Sequence, residues 1–265
     1  MSTPGKKLAV VTGASAGIGR ALALRLSAEG RPVLAVARRA DRLVDLQQEA
    51  EARHGAKIHM LPLDVGAAHA ADKTAARASE LGGASLLVNN AGFGVYGRFE
   101  KLDPKRLSDM VRTNCEALVL FTQALLPELM ACGAGTVLNV ASAGGFQPMP
   151  FMAAYGATKA FVISFTEALA AERPAGVRFA VFCPGPVETE FGLVAGTGGR
   201  FHRMPGIMSA EAAAKSAFDL IGGERVVCVP GVFNKLAVFG NRILPRSAMR
   251  AAAARMMRPR EEEHS

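Results

Sequence analysis

The sequence predicts an α/β fold: a doubly wound, seven-stranded, mainly parallel sheet with helices on both faces. Three observations carry this. Short apolar runs alternate with longer stretches of helical periodicity along most of the chain. The strand-like runs are continuously apolar, as strands buried on both faces require. A glycine-rich turn, Thr12-Gly13-Ala14-Ser15-Ala16-Gly17-Ile18-Gly19, joins the first strand-like run to the first helical one.

Residues 8–11 read as a buried strand. Residues 20–29 read as a helix with Leu22 and Leu26 on its apolar stripe and Gly30 as its stop. A second strand is expected over 32–37. A polar helix follows over 41–54, with Leu43, Val44 and Leu46 inward. The third strand spans 57–65, and an alanine-rich helix runs to Leu81. A fourth strand covers 85–89. A long helix over 104–130 is apolar around much of its circumference. Strand 135–141, a second long helix over 153–172, strand 177–183, helix 210–221 and strand 225–229 complete the pattern. The two long helices carry more apolar surface than one sheet face needs, so a homo-oligomer is expected.

A chain of 265 residues with 50% apolar content suits one such domain over 1–265, with no linker or repeat to divide it. Aromatics are sparse and tryptophan is absent, so Ala, Val and Leu must fill the core. No apolar run reaches the ~18 residues of a membrane span. Met1-Ser2-Thr3-Pro4-Gly5-Lys6-Lys7 leads into a strand rather than an apolar secretory segment, so a cytoplasmic location is expected. Cys115, Cys132, Cys183 and Cys228 lack CxxC spacing and a histidine cluster. They read as buried reduced thiols, and no metal site is expected.

The glycine turn lies where a dinucleotide would bind. Gly13 permits the tight turn, Gly17 lets backbone approach a pyrophosphate, and Gly19 lets helix and strand pack closely. Free N–H groups at the helix start, over Ser15 to Gly19, then favour phosphate. Far along the chain, Tyr155 and Lys159 are spaced to share one helix face. A neighbouring ammonium should lower the tyrosine pKa from its usual ~10 and fit it for proton transfer. Ser142, after the fifth strand, can donate a hydrogen bond to a substrate oxygen at the carboxyl edge of the sheet.

With these motifs in view, the sequence resembles the short-chain dehydrogenase/reductase family over about residues 6–230. The turn has TGxxxGxG spacing. Asn89-Asn90-Ala91-Gly92, Asn114, Ser142, Tyr155, Lys159 and the run Pro184 to Thr189 follow in family order. The resemblance implies a Rossmann-like fold and a reaction between a carbonyl compound and an alcohol. It implies Tyr155 as acid/base, with Ser142, Lys159 and Asn114 as its catalytic partners. Asn114 would hold a water that links the lysine to solvent, and Lys159 would also bind ribose hydroxyls. Asp64 and Val65 would flank the adenine, and Asn90, Ala91 and Gly92 would line the adenosine side. Pro184, Gly185, Val187 and Thr189 would hold the nicotinamide end.

Cofactor choice turns on the end of the second strand. A carboxylate there would serve an NAD ribose, but this chain has Ala37 followed by Arg38 and Arg39. A guanidinium suits a 2′-phosphate, so NADP is expected. The expected substrate is a small apolar ketone, aldehyde or secondary alcohol. Its walls would be Phe93, Val95, Tyr96, Phe146, Met149, Phe151 and Met152, with a glycine-rich lid over 190–208 that carries Arg200 and Arg203. An NAD-dependent alcohol dehydrogenase and a non-catalytic nucleotide sensor are the alternatives.

The net charge of +8 is concentrated near the C-terminus. Between Val226 and Arg260 there is no acid, while Lys235, Arg242, Arg246, Arg250, Arg255, Arg258 and Arg260 are all basic. A helical segment is expected over about 231–260. Phe233, Leu236, Ala237, Gly240, Ile243 and Leu244 would share one face, with Val238 and Phe239 off it. Ser247 would cap a second helix. The apolar face could pack on the body or on another subunit, or meet anionic lipid or an acidic partner. No nucleic-acid reading module accompanies the charge.

Overall fold

The computed structural model describes residues 7–197 and 206–258. Seven strands form one sheet: β1 (Leu8–Thr12), β2 (Val33–Ala37), β3 (Ile58–Pro62), β4 (Ala84–Asn89), β5 (Thr136–Val140), β6 (Arg178–Phe182) and β9 (Val227–Cys228). Their order is β3-β2-β1-β4-β5-β6-β9, and every pairing is parallel. The short strands β7 (Val187–Glu188) and β8 (Met208–Ser209) pair separately. The chain winds outward from β1 to β3, then returns to place β4 on the other side of β1. That reversal opens a crevice beyond the carboxyl ends of β1 and β4.

Neighbouring residues along each strand feed opposite layers, as the period of two demands. Ala9 and Val11 pack with α1 (Gly17–Ala28), α2 (Ala40–His54) and α8 (Ala210–Ile221). Leu8 and Val10 pack with α3 (Ala70–Glu80) and the helix over 117–131. On the same side as the latter, Val162 and Ile163 of α6 (Ala153–Glu172) meet Val181 and Cys183.

Several expectations shift. The first helix begins at Gly17, because the end of the glycine turn is itself the first helical turn. Val44 is 39% exposed rather than inward, since Leu43 and Leu46 already fill that side of α2. The third strand is shorter than expected and the last has only two residues. The helix over 104–130 divides into α4 (Pro104–Val111) and α5 (Ala117–Ala131), joined by a wide π-helical turn, Arg112–Glu116. There the Ala117 N–H reaches back five residues to the Arg112 carbonyl. Such turns insert one extra residue into a helix and recur at functional sites. Of the cysteines only Cys183 is buried; the other three are half-buried.

A polar chain crosses the centre of the sheet. Asn89 Nδ2 donates to Thr122 Oγ1 at 3.0 Å and to Asn139 Oδ1 at 2.9 Å, and Asn139 Nδ2 donates to Thr166 Oγ1 at 2.9 Å. All four side chains are buried, so the bonds have no competition from water. They tie β4 and β5 to α5 and α6, which cover the same face of the sheet. Asn139→Ala would take one partner each from the Asn89 amide and the Thr166 hydroxyl, leaving them only Thr122 and the Val162 carbonyl. A loss of about 1–3 kcal/mol is expected, seen as a lower denaturation midpoint with an unchanged m-value.

Candidate active site

The carboxyl ends of β1 and β4 are locked by two residues. The Thr12 hydroxyl accepts from the backbone N–H groups of Asn90 (3.0 Å) and Ala91 (3.1 Å) and donates to the Val88 carbonyl (3.2 Å). The Asn90 amide donates in return to the carbonyls of Thr12 (2.9 Å) and Gly13 (3.2 Å). Gly13 has φ +66°, and a Cβ there would lie 2.8 Å from both Asn90 Nδ2 and Ala91 Cα. Gly19 faces the same lock: its Cβ would stand 2.5 Å from the Gly13 carbonyl oxygen. It therefore packs against the turn itself rather than between helix and strand. At Gly17, φ +55°, a Cβ would lie 2.9 Å from Thr189 Cγ2, so the missing side chain lets the loop after β6 come close.

Above the lock is a cavity of about 570 Å³. It is lined by Gly13, Ser15, Gly17 and Ile18 of the turn, by Arg38 and Arg39, by Asp64 and Val65, and by Asn90, Ala91 and Gly92. Ser142, Tyr155, Lys159, Pro184, Gly185, Val187 and Thr189 complete the expected set around it. Of the catalytic and cofactor residues expected from the sequence, only Gly19 and Asn114 do not line the cavity. The start of α1 presents unpaired backbone N–H groups beside it, a fit for phosphate.

The two arginines differ. Arg38 is 72% exposed and stands 3.8 Å from the Asp64 carboxylate. Arg39 donates to the Ser15 hydroxyl at 3.2 Å and to the Glu190 carboxylate at 2.8 Å. It thus joins the glycine turn to the segment after β7. Both guanidinium groups border the cavity at the β2 end, so the donor set fits a 2′-phosphorylated ribose.

At the β5 end, Tyr155 and Lys159 project from adjacent turns of α6, and both are buried. The Lys159 ammonium donates to the Val140 carbonyl at 2.8 Å and lies 5.8 Å from the centre of the Tyr155 ring. Phe191 covers that ring, centroids 5.2 Å apart. Burial pushes the Tyr155 phenol up to about 12, with the Ser142 hydrogen bond pulling the other way. Burial also brings Lys159 down to about 8. The direction is opposite to the lowering expected from Lys159: desolvation of the phenolate outweighs the Ser142 hydrogen bond. At neutral pH the pair is a neutral phenol beside an ammonium, the form that can deliver a proton.

Asn114 lies behind the cavity at the centre of the wide turn. Its amide donates to the Phe93 carbonyl and to Thr158 Oγ1, both at 3.0 Å, and accepts from the Phe93 N–H at 3.1 Å. A Cβ on Gly92 would lie 2.9 Å from its oxygen, so Gly92 makes room for the clamp. Asn114 thereby holds the loop after β4 against α6.

The walls depart further from expectation. Phe93 and Met149 line the cavity, joined by Phe191 and Val194 of α7 (Phe191–Ala195). Val95, Tyr96, Phe151 and Met152 form an apolar cluster behind them, and Phe146 belongs to the core beside β6. Gly198, Gly199, Arg200 and Arg203 lie outside the described residues. The remaining wall is the C-terminal segment, folded as α9 (Val232–Ile243) and α10 (Arg246–Met257). Phe233, Asn234, Ala237, Val238 and Asn241 of α9, and Ala253, Met256 and Met257 of α10, all line the cavity. Asn234 is buried against Gly185 and donates to the Pro230 carbonyl at 2.9 Å, and Asn241 donates to Gln147 at 3.1 Å. The Tyr96 hydroxyl pins α10 through the Met257 carbonyl at 2.8 Å. The two asparagines, alone at i and i+7 in an apolar helix, were the available signal for this inward face.

The sequence profile of the family described as short chain dehydrogenase matches residues 7–195. An uncharacterized oxidoreductase of Myxococcus xanthus is 33% identical over 256 residues, 94% of this chain and 97% of the relative. A sulfoacetaldehyde reductase of Chromohalobacter salexigens is 35% identical over 88% of this chain and 93% of its own length. A short-chain dehydrogenase from Sphingobium yanoikuyae, solved in complex with NADPH, superposes with a TM-score of 0.80 at 26% identity, covering 98% of both chains.

The buried lysine carries a stability cost with a defined pH dependence. Its pKa falls from 10.5 unfolded to about 8 folded, so below about pH 8 the folded state must bury the full charge. Between about 8 and 10.5 the unfolded chain holds more protons, and Lys159 destabilises progressively less as pH rises. Lys159→Met is expected to gain up to roughly 3 kcal/mol at neutral pH, at about 1.4 kcal/mol per pKa unit. The gain should shrink toward pH 10.5 when denaturation of the two proteins is compared across pH.

Proposed function

The chain belongs to the short-chain dehydrogenase/reductase family of oxidoreductases, and from that premise we propose that it is an NADP(H)-dependent enzyme interconverting an apolar carbonyl compound and a secondary alcohol. The observation that carries this reading is the single cavity shared by the glycine turn, the Arg38–Arg39 pair and the Ser142, Tyr155 and Lys159 side chains. NADPH-bound relatives support the cofactor assignment.

Bound NADPH supplies the hydride in the reducing direction. Ser142 holds the carbonyl oxygen. Tyr155, a neutral phenol in its buried site, gives that oxygen its proton. The Lys159 ammonium stabilises the phenolate left behind and holds the ribose. Asn114 acts as a positioning residue, since its amide is committed to Phe93 and Thr158. Arg38 and Arg39 receive the 2′-phosphate.

The substrate walls favour an apolar molecule. Among the described residues, Arg38, Arg39 and Lys159 are the only cationic side chains lining the cavity, and this reading assigns all three to the cofactor. Among those described residues an anionic substrate would find no further cationic partner. Assembly into a homo-oligomer through α5 and α6 is part of the reading, because Leu120 and Phe161 stand 46% and 41% exposed on those helices. Free thiols are in keeping with a reducing cytoplasm.

Tyr155→Phe removes only the hydroxyl. Cofactor should still bind, by fluorescence titration, while turnover falls by roughly 10²–10⁴. Full activity in that variant would rule out the proton-donor role. Arg38→Asp removes a charge-assisted contact of about 1.5–3 kcal/mol, so the preference for NADP over NAD should fall by roughly ten- to a hundredfold. An unchanged ratio of kcat/KM values for the two cofactors would refute the assignment.

A further inference from the structure

Helix α9 has two working faces. Its inner side carries Asn234 and Asn241, which tie it to the loop after β6 and to Gln147. The opposite side carries Val232, Leu236, Phe239 and Ile243, at i, i+4, i+7 and i+11, one continuous stripe on a helix. These four are 73%, 64%, 59% and 66% exposed. The helix is therefore rotated from the face expected from sequence. Phe239 joins the outward stripe, and Ala237 and Val238 turn toward the cavity, because the two asparagines take the inward hydrogen bonds.

The charged side chains of α9 and α10 all have one sign, and Glu261, Glu262 and Glu263 follow them beyond the described residues. Lys235, Arg246, Arg250, Arg255 and Arg258 are exposed, and the sequence from 226 to 260 contains no carboxylate. A second copy of the chain docked face to face here would bring two all-cationic surfaces together. A nucleic acid would meet the cations but leave the aliphatic and aromatic stripe without a partner. An anionic lipid bilayer satisfies both: the stripe enters the headgroup–acyl boundary while the cations meet lipid phosphates.

The geometry points to α9 and α10 as a docking surface for the face of an anionic membrane, with α9 lying in the interface plane. The surface is peripheral, since no helix among the described residues is long and apolar enough to cross a membrane. The docked helix is also a wall of the cavity, so the bilayer would lie one helix away from the candidate active site. An apolar substrate dissolved in lipid would then reach the enzyme without crossing bulk water.

The test is cosedimentation of the full-length protein with vesicles of phosphatidylcholine containing phosphatidylglycerol, and with pure phosphatidylcholine. Binding is expected to the anionic vesicles at low salt, to weaken by roughly tenfold or more at high salt, and to be absent with pure phosphatidylcholine. The double variant Leu236→Glu, Phe239→Glu changes side chains that do not line the cavity. It should lose vesicle binding while keeping turnover of a water-soluble carbonyl compound. Arg250→Gln with Arg255→Gln should weaken binding several-fold and leave the stripe intact. If a glutamate variant fails to fold, the lipid and salt dependence of the unaltered protein still decides. Failure of the unaltered protein to sediment with anionic vesicles at low salt overturns the proposal. If the glutamate variant also drops to a smaller assembly by light scattering, the stripe is instead covered by a second copy.

Discussion

The site depends on the lock between Thr12 and Asn90. At the reversal of strand order the chain must end two parallel strands side by side and still leave a crevice between the segments that follow them. Backbone groups released there need partners. The Thr12 hydroxyl and the Asn90 amide supply five of them across a gap that no strand pairing spans. With the two strand ends fixed, the glycine turn can rise over them, but only without side chains at positions 13 and 19. The glycines are thus a consequence of the lock as much as of any ligand.

A second constraint is burial. Tyr155 and Lys159 are both withdrawn from water, and this governs their protonation more than their proximity does. A phenol held neutral is suited to giving a proton, and an ammonium is suited to stabilising the anion that remains. The lysine is costly to keep. It is retained in a pocket whose walls, Gly145 behind its backbone and Gly92 beside its amine, leave no room for a different arrangement. Stability has been given up locally where the chemistry needs a charge.

The C-terminal helices close the molecule. Without α9 and α10 the cavity would lack its wall at Asn234, Val238, Asn241 and Met257. The Tyr96 hydroxyl, donating to the Met257 carbonyl, and Gln147, accepting from Asn241, anchor this wall, one on each helix. This wall is built from apolar side chains and two asparagines, and the only cationic side chains lining the cavity among the described residues are Lys159, Arg38 and Arg39.

Much was legible in the residues alone. Short continuous apolar runs alternating with helical stretches fit strands buried on both faces, so the parallel sheet followed from local pattern. The TGxxxGxG spacing and the Tyr155–Lys159 interval are local geometries, and the named residues of both motifs lie around the cavity except Thr12 and Gly19. What the sequence could not decide were matters of competition between distant groups. The wide turn at Asn114 exists because Phe93 and Thr158 claim its amide. The phenol stays neutral because burial outweighs the hydrogen bond from Ser142. Helix α9 is amphipathic in a way that hydrophobic periodicity misjudges: its polar asparagines are inward and its aliphatic stripe is outward. Periodicity assumes that apolar side chains seek the core. Here Asn234 packs against Gly185 and Asn241 donates to Gln147, and only the folded chain brings those distant partners within reach.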